Sequence, residues 1–322
     1  MDIVSKLVDV TMDFETRIFG RKRRVRAVDR VSLEVRRGEI YGLVGESGSG
    51  KSTIGRISIR LYKPTKGRVF YGKLDITELP ESKLRYLRRE MQLIPQDPYG
   101  AINPIQTIGE ALVEPLLIHY KLSKDEAVEQ AHRALEEVGL HPSTEFFTRR
   151  PRELSGGQLQ RAVIARAMIL KPKYIVADEP TSNLDASIRT SIIKLLLDLR
   201  EKYEQSLLFI THDIALLSLI ANRIGVLYLA QLFEEGPTEK IVKNPLHPYT
   251  KALLSAIPLL SDELGLEKVY LKGEIGDPSN PPRGCRLHPR CPYAMDKCKT
   301  EEPPLIMVNE GRSVKCWLYY NS

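Results

Sequence analysis

The sequence predicts an α/β fold built on a glycine-rich phosphate loop, with one large domain, a helical segment and a small C-terminal extension that carries cysteines. Three observations predict it. A strand-like run, Glu39 to Val44, leads into the glycine-rich GESGSGKST and then a helical pattern. A second apolar run, Tyr174 to Ala177, closes on two acids, Asp178 and Glu179. A third, Ser206 to Ile210, closes on His212. Buried strands that each deliver polar residues at one end are the pattern of an open α/β sheet with its ligand site at the strand termini.

The bulk numbers agree. At 322 residues the chain is long enough for one large domain and an appendage. With 42% hydrophobic and 28% charged residues it reads as globular, which sets disordered and fibrous classes aside. No run of about 18 apolar residues reads as a membrane span, and MDIVSKLVDV is too short and too acidic for a signal peptide, so a cytosolic address is expected. The net charge of +7 would suit nucleic acid, an anionic membrane face or a phosphorylated ligand. Its densest run, GRKRRVR from Gly20 to Arg26, reads as a solvated hairpin tip between two short strands. Asn and Gln together number 15, a low count that points towards a heat-adapted source.

The loop fits G-x-x-x-x-G-K-[ST] through Gly45, Gly50, Lys51 and Ser52. A polyphosphate needs several backbone N–H groups aimed at one point, which requires glycines, and a helix N-terminus adds its positive end. Candidate contacts are Gly45, Ser47, Gly48, Ser49, Gly50, Lys51, Ser52 and Thr53. Lys51 supplies a point charge for the β and γ phosphates, and the Ser52 hydroxyl is a hard ligand for Mg²⁺. From about Asp97 to Glu153 the pattern turns helical, with Ser123 and Glu126 as a capping box before Ala127, Val128, Ala131, Leu135 and Val138. A Ser155-Gly156-Gly157 turn then opens a helix over Gln158 to Leu170, either a second phosphate-ready N-terminus or a plain helix cap. Asp178 is placed to hold Mg²⁺ through water, Glu179 to polarise an attacking water, and His212 to hydrogen-bond a γ phosphate.

All four cysteines lie in the tail: Cys285, Cys291, Cys298 and Cys316, spaced C-x5-C-x6-C-x17-C. A cytosolic address disfavours disulfides, and the tight knuckle that opens most zinc sites is absent. The spacing leaves an iron-sulfur cluster, zinc and unliganded thiols all open.

With LSGGQLQRA, Leu154 to Ala162, beside these motifs, the chain resembles the ATP-binding subunit of an ABC transporter. The resemblance implies that Ser155, Gly156, Gly157 and Gln158 complete the ATP site of a second, head-to-tail ATPase subunit. It implies a Q-loop at LIPQDP with Gln96 as a catalytic and Mg²⁺ residue, a D-loop at SNLD with Asp185, and a histidine switch at His212. It makes Phe14 in VTMDF the adenine-stacking aromatic, with Phe19 as the rival. NPLHPYTKALLSAIP and NPPRGCRLHPRC are similar to the tail of the oligopeptide and dipeptide importer branch. That branch implies residues 1–243 as an α/β ATPase domain with a mixed-sheet core, an antiparallel β subdomain and a helical subdomain at about 97–165, and 244–322 as the extension. It implies ATP, Mg²⁺ and a [4Fe-4S] cluster on the four cysteines as cofactors. The partners implied are a second ABC ATPase subunit, identical or related, two transmembrane permease subunits and an extracellular substrate-binding protein, with no nucleic acid. The protein would sit peripherally on the cytoplasmic face of the membrane. Cargo in that branch is peptide, sometimes nickel, and in some heat-loving microbes oligosaccharide. A soluble ABC ATPase acting on nucleic acid or a macromolecular assembly is the alternative class. A chain with a single ATPase half and this tail fits that class poorly. The metal site reads as structural, so that Cys291→Ser would cost the tail its order and leave ATP binding intact.

Overall fold

A computed structural model describes residues 2–18, 21–258, 265, 267–309 and 311–320. The chain forms two compact units and passes between them several times. One unit holds residues 5–35, 39–77 and the described residues from 208 on; the other holds residues 2–4, 36–38 and 78–207.

In the first of these, β1 (Ile3–Ile18), β2 (Arg21–Arg36), β4 (Lys66–Tyr71) and β5 (Leu74–Asp75) make a four-stranded sheet in the order β2-β1-β4-β5. β1 and β4 are antiparallel, Ser5 opposite Tyr71 and Leu7 opposite Val69. The hairpin strands run 16 residues each, where the sequence suggested two short ones. Of the basic run, Arg24 is exposed and Arg26 half-buried. Arg24 and Arg26 both bond Asp13, whose side chain is nearly buried, and although burial pushes the Asp13 carboxyl up, the two arginine hydrogen bonds hold it below its usual value. An acid on the strand thus answers the cations, and the strand continues through them.

The second sheet of this unit contains β3 (Ile40–Val44), β8 (Ser206–Thr211), β9 (Arg223–Tyr228), β10 (Gln231–Pro237), β11 (Ile306–Asn309) and β12 (Arg312–Val314), in the order β11-β12-β10-β9-β3-β8. It is mixed: β3 runs parallel to β9, Tyr41 opposite Arg223, whereas β9 and β10, and β10 and β12, are antiparallel. β3 is buried along its whole length, which suits an unbroken IYGLV run. Helices α1 (Lys51–Ser58), α8 (Ile214–Ile220), α9 (Thr238–Lys243) and α10 (Pro248–Ser255) accompany it, and the short α11 (Asp296–Thr300) lies in the tail.

Salt bridges build the tail into this unit. Arg312, on β12, bonds Glu234 of β10 at 2.7 Å, and Glu234 also accepts the backbone N–H groups of Leu246 and His247 at 2.9 Å each. Arg286 pairs with buried Asp29 of β2 and donates to the Leu229 carbonyl. Glu302 takes Arg30 at 2.7 Å, Gln231 at 2.9 Å, and Lys315. A buried pair loses several kcal/mol when one member is deleted, about 3 to 5, because the other is left unpaired.

His247 caps α10 by accepting the Tyr249 N–H at its Nδ1, and its ring lies 4.5 Å from Phe233. Burial pushes its pKa down to about 3, against the opposing hydrogen bond to the Lys315 backbone. The unfolded chain therefore takes up a proton below about pH 6.5 that the folded chain refuses, so stability present above that pH is lost as it falls towards 3. The loss is about 1.4 kcal/mol per pH unit in that window. His247→Asn retains an acceptor for the cap and should flatten this part of the stability-pH curve; parallel curves for the two proteins would contradict the assignment.

The other unit contains α2 (Glu81–Arg88), β6 (Met91–Ile94), α3 (Ile108–Tyr120), α4 (Lys124–Glu137), α5 (Ser143–Thr148), α6 (Gly156–Met168), β7 (Tyr174–Asp178) and α7 (Ala186–Lys202). β6 and β7 pair in parallel, Met91 opposite Tyr174 and Ile94 opposite Ala177. α3 and α4 each open with a complete capping box, Thr107 with Glu110 and Ser123 with Glu126, the second as the sequence suggested. Ala127, Ala131 and Leu135 form the buried stripe of α4. Among the described residues no helix is long and apolar enough to cross a membrane.

Candidate functional site

The glycine-rich loop leaves the end of β3 and enters α1. Gly50 sits at the N-cap with φ 103°, and a Cβ there would lie 2.1 Å from the Ala27 carbonyl oxygen, so only glycine fits. A Cβ on Gly45 would lie 2.1 Å from the Leu227 carbonyl oxygen and 2.9 Å from Ser49 Oγ. The loop thus closes tightly on itself. Lys51 is buried, and its Nζ lies in the hollow of the loop, donating to the carbonyls of Gly45 at 2.6 Å and Glu46 at 2.9 Å. Ser49 Oγ is buried with no protein hydrogen-bond partner. A curled backbone, a cation in its hollow and an unmatched buried hydroxyl fit a phosphate chain. Ser47 and Gly48 are exposed at the loop's rim, and Ser52 and Thr53 are half-buried in the first turn of α1.

β8 lies beside β3, and His212 follows directly on its last residue as an exposed side chain. Asp213 next to it caps α8, accepting the Leu216 N–H at 3.0 Å. The Phe14 ring is half-buried and meets Tyr62 edge-on, with centroids 5.6 Å apart. Phe19 lies outside the described residues.

In the other unit β7 ends on Asp178, which is 1% exposed, and the chain turns at once. Glu179 takes φ 47°, a left-handed conformation uncommon for a residue with a side chain. Its carboxylate Oε2 accepts from Ser182 Oγ at 2.7 Å and from Gln96 Nε2 at 3.1 Å. Gln96 and Glu179 are thereby brought together, and a carboxylate so oriented can take a proton from a water held in front of it. Sequence reasoning missed Ser182; its signal was a hydroxyl three residues after the acid, within reach of a tight turn.

Ser155, Gly156, Gly157 and Gln158 open α6. The helix spans Gly156–Met168, two residues earlier at each end than expected, because Ser155 and Gln158 form a reciprocal capping box. Gly157 has a packing reason to be glycine: a Cβ there would lie 2.7 Å from Ile188 Cγ2 of α7. Asp185 occupies the N-cap position of α7, where its side chain makes no capping bond to the helix.

The four cysteines are free thiols, Cys285 and Cys298 buried, Cys291 and Cys316 half-buried. The Cys285 N–H donates to the Cys298 carbonyl at 2.8 Å. Burial pushes the Cys285 thiol up to about 12 and Cys316 up to about 11, and charge on the neighbouring cysteines adds to both. Burial raises Cys291 too, and Cys298 adds to it. The four thiols are thus electrostatic neighbours. Among the described residues no group of three or more His, Cys, Asp or Glu is arranged to hold a metal ion.

Residues 28–182 match the family model described as ABC transporter, and residues 233–298 match the one described as oligopeptide/dipeptide transporter, C-terminal region. The putative oligopeptide transport ATP-binding protein YkfD of Bacillus subtilis is 46% identical over 94% of this chain and 92% of its own. The chain belongs to the ATP-binding subunits of ABC transporters. The dipeptide transport ATP-binding protein DppF of Haemophilus influenzae is 42% identical over 93% of this chain and 91% of its own. Among solved structures, a dimeric ATP-binding cassette in a post-hydrolysis state, bound to ADP and Pi, superposes with a TM-score of 0.66 at 31% identity, covering 73% of this chain and 98% of that one. This ABC subunit is therefore an ATP-hydrolysing transport ATPase, and its mixed sheet, antiparallel sheet and helical elements are those of the cassette.

Proposed function

We propose that this ABC subunit powers import of oligopeptides or dipeptides, from the cytoplasmic face of the membrane, with residues 1–243 as the ATPase domain and 244–322 as its extension. Relatives named for oligopeptide and dipeptide transport align over nearly the whole chain, tail included, and this is the observation that carries the reading. ATP is held through its phosphates by the backbone of Gly45 to Gly50 and by Lys51; Ser52, Asp178 and Gln96 serve Mg²⁺; Phe14 stacks on the adenine. Glu179 takes the proton of the attacking water, and His212 hydrogen-bonds the γ phosphate. Ser155, Gly156, Gly157, Gln158 and Asp185 act on the ATP of a second ATPase subunit. Two permease subunits and an extracellular substrate-binding protein complete the importer.

On the likeness of the tail to the oligopeptide and dipeptide importer branch, the free thiols of Cys285, Cys291, Cys298 and Cys316 are assigned to a [4Fe-4S] cluster. Buried thiols this hard to ionise need a cationic body among them to become thiolate ligands, and an iron-sulfur core supplies that charge.

A site shared between two subunits makes activity depend on assembly. ATPase rate per chain should rise steeply with protein concentration or on addition of the other importer subunits. A rate that stays high and constant on dilution to monomer would overturn the shared site. Purification of the native complex without two hydrophobic membrane subunits would overturn the importer.

A further inference from the structure

The phosphate loop contains an acid of its own. Glu46 follows Gly45 directly, and a carboxylate there repels any phosphate chain that the loop gathers. The cysteine tail answers it. Arg290, immediately before Cys291, takes the Glu46 carboxylate in a two-pronged grip, Nη1 to Oε2 at 2.9 Å and Nη2 to Oε1 at 3.2 Å. The Arg290 side chain is only 11% exposed. It is seated over the Tyr228 ring, 5.8 Å from its centroid, and bonds the Tyr228 hydroxyl at 3.3 Å. Two more residues beyond 243 reach the same loop. The buried Tyr249 hydroxyl accepts the Glu46 N–H at 3.1 Å, and Pro278 Cγ lies 3.9 Å from where a Gly48 Cβ would be.

We propose that Arg290 is a positioning residue of the nucleotide site: by clamping Glu46 it neutralises the loop's own negative charge and keeps that carboxylate turned to the tail, so the cysteine-bearing segment sets ATP affinity. The inference rests on the reading of the loop as the ATP site. A fork matched to a carboxylate, part-buried and braced by an aromatic ring, is the geometry that fixes an acid in place as well as cancelling its charge.

The test is Mg-ATP affinity measured by calorimetry on the full chain, at low and moderate salt. Arg290→Ala should weaken binding about tenfold at low salt, less at moderate salt, by leaving Glu46 unpaired beside the phosphates. In the assembled importer it should raise the KM for ATP and leave kcat within about twofold. Arg290→Lys should fall between, since it retains a charge and loses the fork. The decisive variant is the double one: Glu46→Ala with Arg290→Ala should bind ATP within about twofold of Glu46→Ala alone, because no acid remains to neutralise. Arg290→Met, which retains the buried stem, is read in the same way as Arg290→Ala. Unchanged affinity in the single variants would overturn the proposal. So would a double variant as weak as Arg290→Ala, which would mean that the arginine only supports the loop's structure. Wild type failing to bind ATP, or Lys51→Ala binding as well as wild type, would instead fell the reading of the loop, and the inference with it.

Discussion

Glu179→Gln is expected to bind Mg-ATP within about twofold of wild type while turning it over about a thousandfold more slowly, in the range that general-base catalysis supplies. The substitution is nearly isosteric. Its amide oxygen can still accept from Ser182 Oγ and Gln96 Nε2, which donate to the carboxylate now, so these two contacts give the local structure no reason to move. The left-handed backbone at residue 179 belongs to the turn after β7 and is strained for either side chain, costing about 1 to 3 kcal/mol that the surrounding fold already bears. What the change removes is the negative charge that takes a proton from water. Binding and turnover should therefore separate in one variant. Residual ATPase within about tenfold of wild type would remove Glu179 from the role of base, and a parallel loss of binding would show that the change had disturbed the fold.

Short-range chemistry was legible in the chain and long-range pairing was not. Lys51 and Ser52 in their loop, Asp178 and Glu179 at the end of β7, and the Ser123–Glu126 box each depend on a few neighbouring residues, so spacing alone located them. The φ of Glu179 was not legible, because glutamate gives no sign of a left-handed turn. The hairpin strands read as short because the basic run looked like a solvated tip, and only the fold shows Asp13 beneath Arg24 and Arg26. Arg286 with Asp29 and Arg290 with Glu46 join residues 257 and 244 positions apart, and no local pattern in the sequence links them. For that reason the tail read as an appendage, although its arginines meet β2 and the phosphate loop. Cargo was illegible for a different reason. The residues that would choose it lie in other subunits of an importer.

These contacts shape the second large effect. Protein purified without oxygen is expected to be brown and to carry about four iron atoms per chain, all lost in Cys291→Ser. The tail has few apolar anchors: its buried apolar residues from 267 on, among those described, are Val269, Cys285, Leu287, Cys298, Pro303 and Val314. Much of its folding energy must then come from its ion pairs and from whatever its thiols bind. Without a ligand, Cys285 and Cys316 remain protonated near neutral pH, since burial holds them up to about 12 and about 11, and four neutral thiols offer little to hold the segment together. Cys291→Ser should accordingly speed amide exchange in the tail. The sequence alone suggested that ATP binding would survive this intact. Arg290, one residue away, changes the expectation: loosening the turn that ends at Cys291 releases Glu46, so ATP affinity should fall towards that of Arg290→Ala. Iron lost with ATP affinity unchanged would mean that the clamp holds without the cluster. Colourless protein with one zinc and no iron would refute the cluster, and leave the ion pairs of Arg286, Arg290, Glu302 and Arg312 to order the tail beside that zinc.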